Sequence, residues 1–343
     1  MDIHFPRING PLDAAIDNLL SMAGEVHHPE IVREMIIAAL KAGLEDDEKA
    51  DLKLMNSTLK EMRFTSKIFG NYSTKKKITV FGSARTDPAE RVYGMARQLG
   101  KELALAGYMV ITGGGAGIMQ AVNEGAGPEN SFGVNIRLPF EQRPNPVVEG
   151  NPRLITYKYF FNRKVAFLKE AHAVVLFPGG FGTLDEAMET LTLLQTGKRD
   201  PLPLILVDEP GGEYWTRWLR FFMEELLAQN YINITDFNLI ERVDSVEEAI
   251  SKIDLFYRRY HSLRYVEGKL VIRLTSAVGQ DKVDELAELF PDIIEPEGRI
   301  YLSSPLPEEA DEPELSALPR LVVDFIRKDF GRLRALIDAV NCA

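Results

Sequence analysis

Ala173-Val174-Val175-Leu176-Phe177-Pro178-Gly179-Gly180-Phe181-Gly182-Thr183-Leu184-Asp185-Glu186 decides the fold of this chain. Five apolar residues in succession mark a strand buried on both faces, the kind found in parallel sheets covered by helices. Pro178 ends the strand, and Gly179, Gly180 and Gly182 free the backbone to curl round an anion. Thr183 is then expected to cap the next helix. A phosphate seated there would gain from backbone N–H groups, a hydroxyl and the positive end of the helix together.

Working outward, strand-like runs recur at Ile78–Phe81, Tyr108–Thr112, Phe132–Ile136, Leu154–Tyr157 and Leu202–Val207, with a weaker one near Leu239. Helical patterns lie between several of them, at Glu90–Leu105, Arg163–Ala171, Leu184–Gln195 and Glu213–Leu227. The alternation predicts an α/β, Rossmann-like, doubly wound and mostly parallel sheet over 75–262. Residues 1–74 read as a helical extension, with Ile31, Met35, Ile36 and Leu40 at helical spacing. Residues 263–343 read as a small α+β extension: strands at Leu270–Leu274 and Arg299–Leu302, a helix at Lys282–Phe290, an acidic proline-rich loop, and a last helix starting near Pro319.

Bulk properties narrow the function. The chain has 343 residues, 45% hydrophobic and 27% charged, with a formal net charge of −11. That charge argues against nucleic acid or an anionic membrane surface as a partner, and an anionic ligand must find a local positive site. The single cysteine, Cys342, forms no intrachain disulfide and suits a reducing compartment. The first twenty residues lack the basic start and apolar run of a secretion signal, and no apolar stretch approaches the roughly 20 residues of a membrane span. A cytoplasmic location is expected. The five histidines show no metal-ligand spacing, and no serine-hydrolase elbow is present, so no metal is expected.

In parallel sheets, ligands bind beyond the carboxyl ends of the strands. Two more strand ends carry glycines: Gly82-Ser83-Ala84-Arg85, and Gly113-Gly114-Gly115-Ala116-Gly117-Ile118-Met119. The glycine run is neither a dinucleotide fingerprint, whose third glycine would fall on Ile118, nor a Walker loop. By itself it serves a tight turn as well as a phosphate. Two such loops at strand ends favour the phosphate.

Glu186 has two readings. Thr183-Leu184-Asp185-Glu186 fits a capping box, in which the glutamate bonds back to the Thr183 N–H. Alternatively, a carboxylate one helical turn in, about 5 Å along the axis, is repelled by the phosphate but reaches the attached sugar. Upstream, Arg163-Lys164 begins the helix that leads into the glycine-loop strand, which makes Arg163 a candidate for a base, ribose or phosphate contact. Phe160 and Phe161 beside it read as core.

Taken in order, Gly82-Ser83 with Gly113–Met119, the Arg163-Lys164 pair, and Pro-Gly-Gly-x-Gly-Thr-x-x-Glu at Pro178–Glu186 resemble the Lonely Guy family, formerly labelled lysine decarboxylases. The resemblance spans about Lys77 to Tyr260 and is nearest the larger bacterial branch, with Leu138–Gln142 and Leu194–Lys198 in place. It implies hydrolysis of the N-glycosidic bond of a nucleoside 5′-monophosphate, AMP or a cytokinin-type N6-modified AMP, to free base and ribose 5-phosphate, with no cofactor. By position it implies catalytic roles for Arg163 and Glu186. It also implies a nucleotide and phosphate site made of Gly82, Ser83, Gly114, Gly115, Lys164, Gly179, Gly180, Gly182 and Thr183, with Glu141 at the base or ribose. A homodimer or higher homo-oligomer is expected. The alternative is a non-catalytic carrier of a nucleotide or molybdenum-pterin cofactor on the same fold.

Overall fold

A computed structural model describes residues 7–45, 48–139 and 143–342. The chain divides into two compact units, Met1–Phe64 and Thr65–Ala343. The first is helical: α1 (Pro11–Met22), α2 (Pro29–Glu45) and most of α3 (Lys49–Gly70). Inside it, buried Arg33 pairs with Asp13 at 3.0 Å, so its charge is compensated where water is excluded.

The second unit is built on a seven-stranded sheet. Its chain order is β1 (Lys77–Phe81), α4 (Arg91–Leu105), β2 (Met109–Thr112), α5 (Ile118–Ala126), β3 (Ser131–Ile136), β4 (Leu154–Tyr157), α6 (Phe160–Lys169), β5 (Ala173–Leu176), α7 (Phe181–Gln195), β6 (Leu204–Val207), α8 (Tyr214–Phe221), β7 (Glu241–Val243) and α9 (Val246–Phe256). The spatial order is β4-β3-β2-β1-β5-β6-β7, and every pairing is parallel.

Alternation along each strand feeds two cores. Ile78, Val80, Ala173, Val175 and Phe177 face α4, α5 and α9. Phe81, Val174, Leu176 and Leu206 pack with Phe167 of α6, Ala187 and Leu194 of α7, and Trp215 of α8. Burial on both faces is why these strands read as unbroken apolar runs.

The chain from Tyr260 forms a second, antiparallel sheet in the same unit, ordered β10-β11-β9-β8. Its elements are β8 (Tyr260–Val266), β9 (Lys269–Leu274), α10 (Gln280–Leu289), β10 (Ile300–Ser303), β11 (Arg320–Val323) and α11 (Phe330–Asn341). Two expectations are corrected here. The residues after Pro319 are a strand, paired on both sides with β10 and β9, and the last helix begins at Phe330. β8 also begins ahead of the expected extension, at Tyr260. Near Leu239 the chain makes a short 3-10 turn, Ile234–Leu239, and the strand follows at Glu241.

The acidic loop folds over this second sheet. Glu309 pairs with buried Arg273 and Arg320 at 2.7 and 3.3 Å, while Asp311 and Glu312 pair with Arg264. Among the described residues, no helix is long and apolar enough to cross a membrane.

Candidate active site

β1 and β5 are neighbours in the sheet, and the chain winds outward from them in opposite directions. Their carboxyl ends therefore diverge into a crevice at the switch point of the fold. A cleft of about 800 Å³ opens there, lined among others by Gly82, Ser83, Arg85, Gly113, Met119, Arg163, Gly179, Gly180, Gly182, Thr183 and Glu186.

The three loops around this cleft are tied together. Ser83 N–H donates to the Pro178 carbonyl at 3.1 Å, and Ile118 N–H donates to the Ser83 carbonyl at 3.0 Å. The Tyr214 hydroxyl donates to the Gly179 carbonyl at 2.5 Å, fixing the third loop from α8. Close approach explains two of the glycines. A Cβ on Gly179 would lie 2.1 Å from Thr183 Oγ1, and one on Gly117, whose φ is 64°, would lie 2.3 Å from the Ser83 carbonyl oxygen. Gly180 and Gly182 differ, for nothing lies within 4 Å of their missing side chains. They leave open space over the amino end of α7.

The N-cap of α7 is Gly180, and Thr183 is the third residue of the helix. This corrects the expected Thr183 cap and removes the capping-box reading of Glu186, which stands a turn further in. Among the described residues, the N–H groups of Phe181 and Gly182 donate to no backbone acceptor, and no side chain caps the helix. Free donors at the positive end of a helix are the groups that an anion needs.

Glu186 is buried, with 3% of its surface exposed, and its Oε2 makes no hydrogen bond. Burial pushes its carboxyl up to about 7, against the opposing pull of Lys164 and Arg163. Arg163, on the first turn of α6, is half-buried with its Nε unpartnered, and burial lowers its affinity for the proton. Its guanidinium lies 5.0 Å from the Phe160 ring and 5.5 Å from the Phe167 ring. Arg163 and Glu186 thus face one cleft without pairing with each other.

Other residues land differently. Lys164 does not line the cleft. It reaches Glu189 at 2.5 Å, Asp185 at 2.9 Å and Glu186 at 3.5 Å, and against the opposing effect of burial the hydrogen bonds to Glu189 and Asp185 and the charge of Glu186 hold its proton more firmly. Gly114 and Gly115 stand behind lining residue Gly113, their carbonyls held by Asn145 at 2.8 and 3.0 Å. Glu141 lies outside the described residues. Phe160 and Phe161 are half exposed, so the core reading of both is corrected. Arg85 received no role from sequence, although it follows Gly82-Ser83-Ala84 directly; it lines the cleft and makes no ion pair among the described residues. No group of histidine, cysteine, aspartate and glutamate side chains suited to a metal occurs among the described residues.

Residues 116–253 match the family model described as possible lysine decarboxylase. Over those residues the core is similar to the Lonely Guy family, formerly labelled lysine decarboxylases. A pyrimidine/purine nucleotide 5′-monophosphate nucleosidase of Escherichia coli K12 is 31% identical over 153 residues, covering 41% of this chain and 33% of that protein. The chain therefore spans about a third of that relative's length. A cytokinin riboside 5′-monophosphate phosphoribohydrolase of Arabidopsis thaliana is 25% identical over 191 residues, covering 55% of this chain and 87% of that one. Among solved structures, a molybdenum cofactor carrier protein from Chlamydomonas reinhardtii is 23% identical, with a TM-score of 0.38, covering 52% of this chain and 96% of the other. The segment Pro178–Glu186 presents the open glycine loop and free N–H groups at one end and the buried carboxylate at the other.

Proposed function

We propose that the protein hydrolyses the N-glycosidic bond of a nucleoside 5′-monophosphate, AMP or an N6-modified AMP, releasing free base and ribose 5-phosphate. The observation that carries this reading is a buried carboxylate, one oxygen of which accepts no hydrogen bond, and a half-buried guanidinium, unpaired with one another, facing the same cleft beside the free N–H groups of α7. Two opposite charges kept apart in a cleft suit a reaction that separates charge. As the C1′–N bond breaks, its electron pair leaves on the base, near Arg163, and positive charge grows on the sugar, near Glu186. The Glu186 carboxylate takes a proton from water as that water adds to C1′, the departing base takes up one proton from solvent and Glu186 returns its own to solvent, and a carboxyl poised near 7 is matched to proton transfer at neutral pH. The 5′-phosphate sits on the free N–H groups of α7, with Gly180 and Gly182 leaving room for it. Arg85 stands on the cleft as an available countercharge. The relatives named as nucleotide nucleosidase and phosphoribohydrolase support the same chemistry.

The reading includes a cytoplasmic homodimer or higher homo-oligomer, supported by the exposed apolar side chains Phe161, Val165, Phe181, Phe221 and Met223 on and beside α6, α7 and α8. Sedimentation analysis tests that part. The activity is tested by incubating the protein with AMP and N6-isopentenyl-AMP and separating the products chromatographically. Release of adenine or isopentenyladenine with equimolar ribose 5-phosphate is expected. Nucleotide binding without any release of base would overturn the hydrolytic reading in favour of a carrier.

A further inference from the structure

We infer that Lys164 is a positioning residue for Glu186: held outside the cleft lining, it gathers the carboxylates of α7 into one cluster and keeps Glu186 ionised and aimed into the cleft. This rests on the hydrolytic reading above, in which Glu186 acts as a carboxylate. Successive residues on a helix point about 100° apart, so Arg163 and Lys164 serve different surroundings from adjacent positions on α6. Arg163 lines the cleft. Lys164, with 17% of its side chain exposed, turns instead to three carboxylates of α7, at 2.5 Å to Glu189, 2.9 Å to Asp185 and 3.5 Å to Glu186.

The charges around Glu186 explain why one lysine matters. From its own helix come Asp185 and Glu189, both raising its hold on a proton; from α6 come Arg163 and Lys164, both lowering it. The amino end of α7 is free, and Arg85 lines the same cleft. Arg163 is the group needed by the departing base. Lys164 is the remaining cation in bonding range of the carboxylate, and its two nearer partners are both negative. Without it, three carboxylates would crowd one helix turn, and the buried one would take up a proton first. A protonated Glu186 cannot accept the proton of water.

The test uses the full chain with Lys164→Met, Lys164→Arg and Glu189→Gln, two readouts and AMP as substrate. The first readout is the acid limb of the kcat/KM profile, together with KM. The second is the titration of the Glu186 side-chain carboxyl, followed by 13C NMR in protein labelled at glutamate Cδ and assigned with Glu186→Gln; it needs no turnover. Lys164→Met is expected to move both the limb and the midpoint to higher pH by about 1 unit or more, with KM for AMP unchanged. Lys164→Arg keeps the wild-type midpoint. Glu189→Gln, by releasing Lys164 from its nearest competitor, moves the midpoint the other way. An unmoved midpoint in Lys164→Met, or in Glu189→Gln should Lys164→Met not fold, overturns the inference. So does a raised KM with an unmoved limb, which would make Lys164 a ligand contact. If the wild type releases no base, it is the hydrolytic reading that fails, and the NMR midpoints alone decide the role of Lys164.

Discussion

Glu186→Gln should abolish turnover and, at alkaline pH, make the protein more stable. The Glu186 carboxyl rises from an ordinary 4.5 to about 7 because burial disfavours its charge. In the folded state it therefore holds its proton over a pH range where the unfolded chain has lost it. Stability from this group is fully present below about pH 4.5 and is lost as the pH rises through about 7, the reverse of a salt-bridged carboxylate. At about 1.4 kcal/mol per pH unit, the wild type forfeits about 3 kcal/mol at pH 8 and under about 1 kcal/mol at pH 5. Glutamine does not ionise. The stability of the variant relative to wild type should thus grow by about 2.5 kcal/mol between pH 5 and pH 8. Urea unfolding of both proteins at the two pH values measures the difference, and base release from AMP measures the activity. A variant less stable than wild type by the same amount at both pH values would refute the reasoning, because a lost structural hydrogen bond has no such pH dependence.

Three further outcomes are expected. Arg163→Met should lower kcat by about 10²–10³-fold with the fold intact by circular dichroism; a wild-type kcat would remove Arg163 from the chemistry. Gly179→Ala forces a Cβ to within 2.1 Å of Thr183 Oγ1 and should lower the melting temperature, whereas Gly182→Ala meets nothing within 4 Å and should leave it unchanged, so equal losses in calorimetry would contradict the packing described. His172, pushed down to about 4 by burial first and by Lys77 and Arg199 next, should cost stability as the pH falls from about 6.5 towards 4; urea midpoints at pH 7 and pH 5 should fall further for wild type than for His172→Asn, and parallel falls would exclude this source.

The large sheet was legible because its strands are buried on both faces: Ala173–Leu176 needs no partner information to be recognised as a strand. The second sheet was harder to read. β8 carries His261, Ser262 and Arg264, and the polarity of Arg264 is explained by the acidic loop, where it is bonded to Asp311 and Glu312. β11 follows Pro319, a residue equally suited to the first turn of a helix, and becomes a strand because two neighbours pair with it. In the site, glycine spacing located loops that line the cleft, but two distinctions lay in the third dimension. Starting α7 at Phe181 moved Thr183 off the cap, and the rotation between adjacent positions on α6 sent Arg163 into the cleft and Lys164 away from it.

The tie between Ser83, Pro178 and Ile118 joins loops that follow β1, β2 and β5, segments far apart in sequence but central in the sheet. A ligand that fills the cleft therefore braces the middle of the fold instead of a detachable flap. Its binding energy should appear almost whole in the unfolding equilibrium, about 2.7 kcal/mol at a hundredfold excess over Kd. Heat denaturation against a panel of nucleoside monophosphates would then rank the bases by affinity, without a single turnover having to be seen.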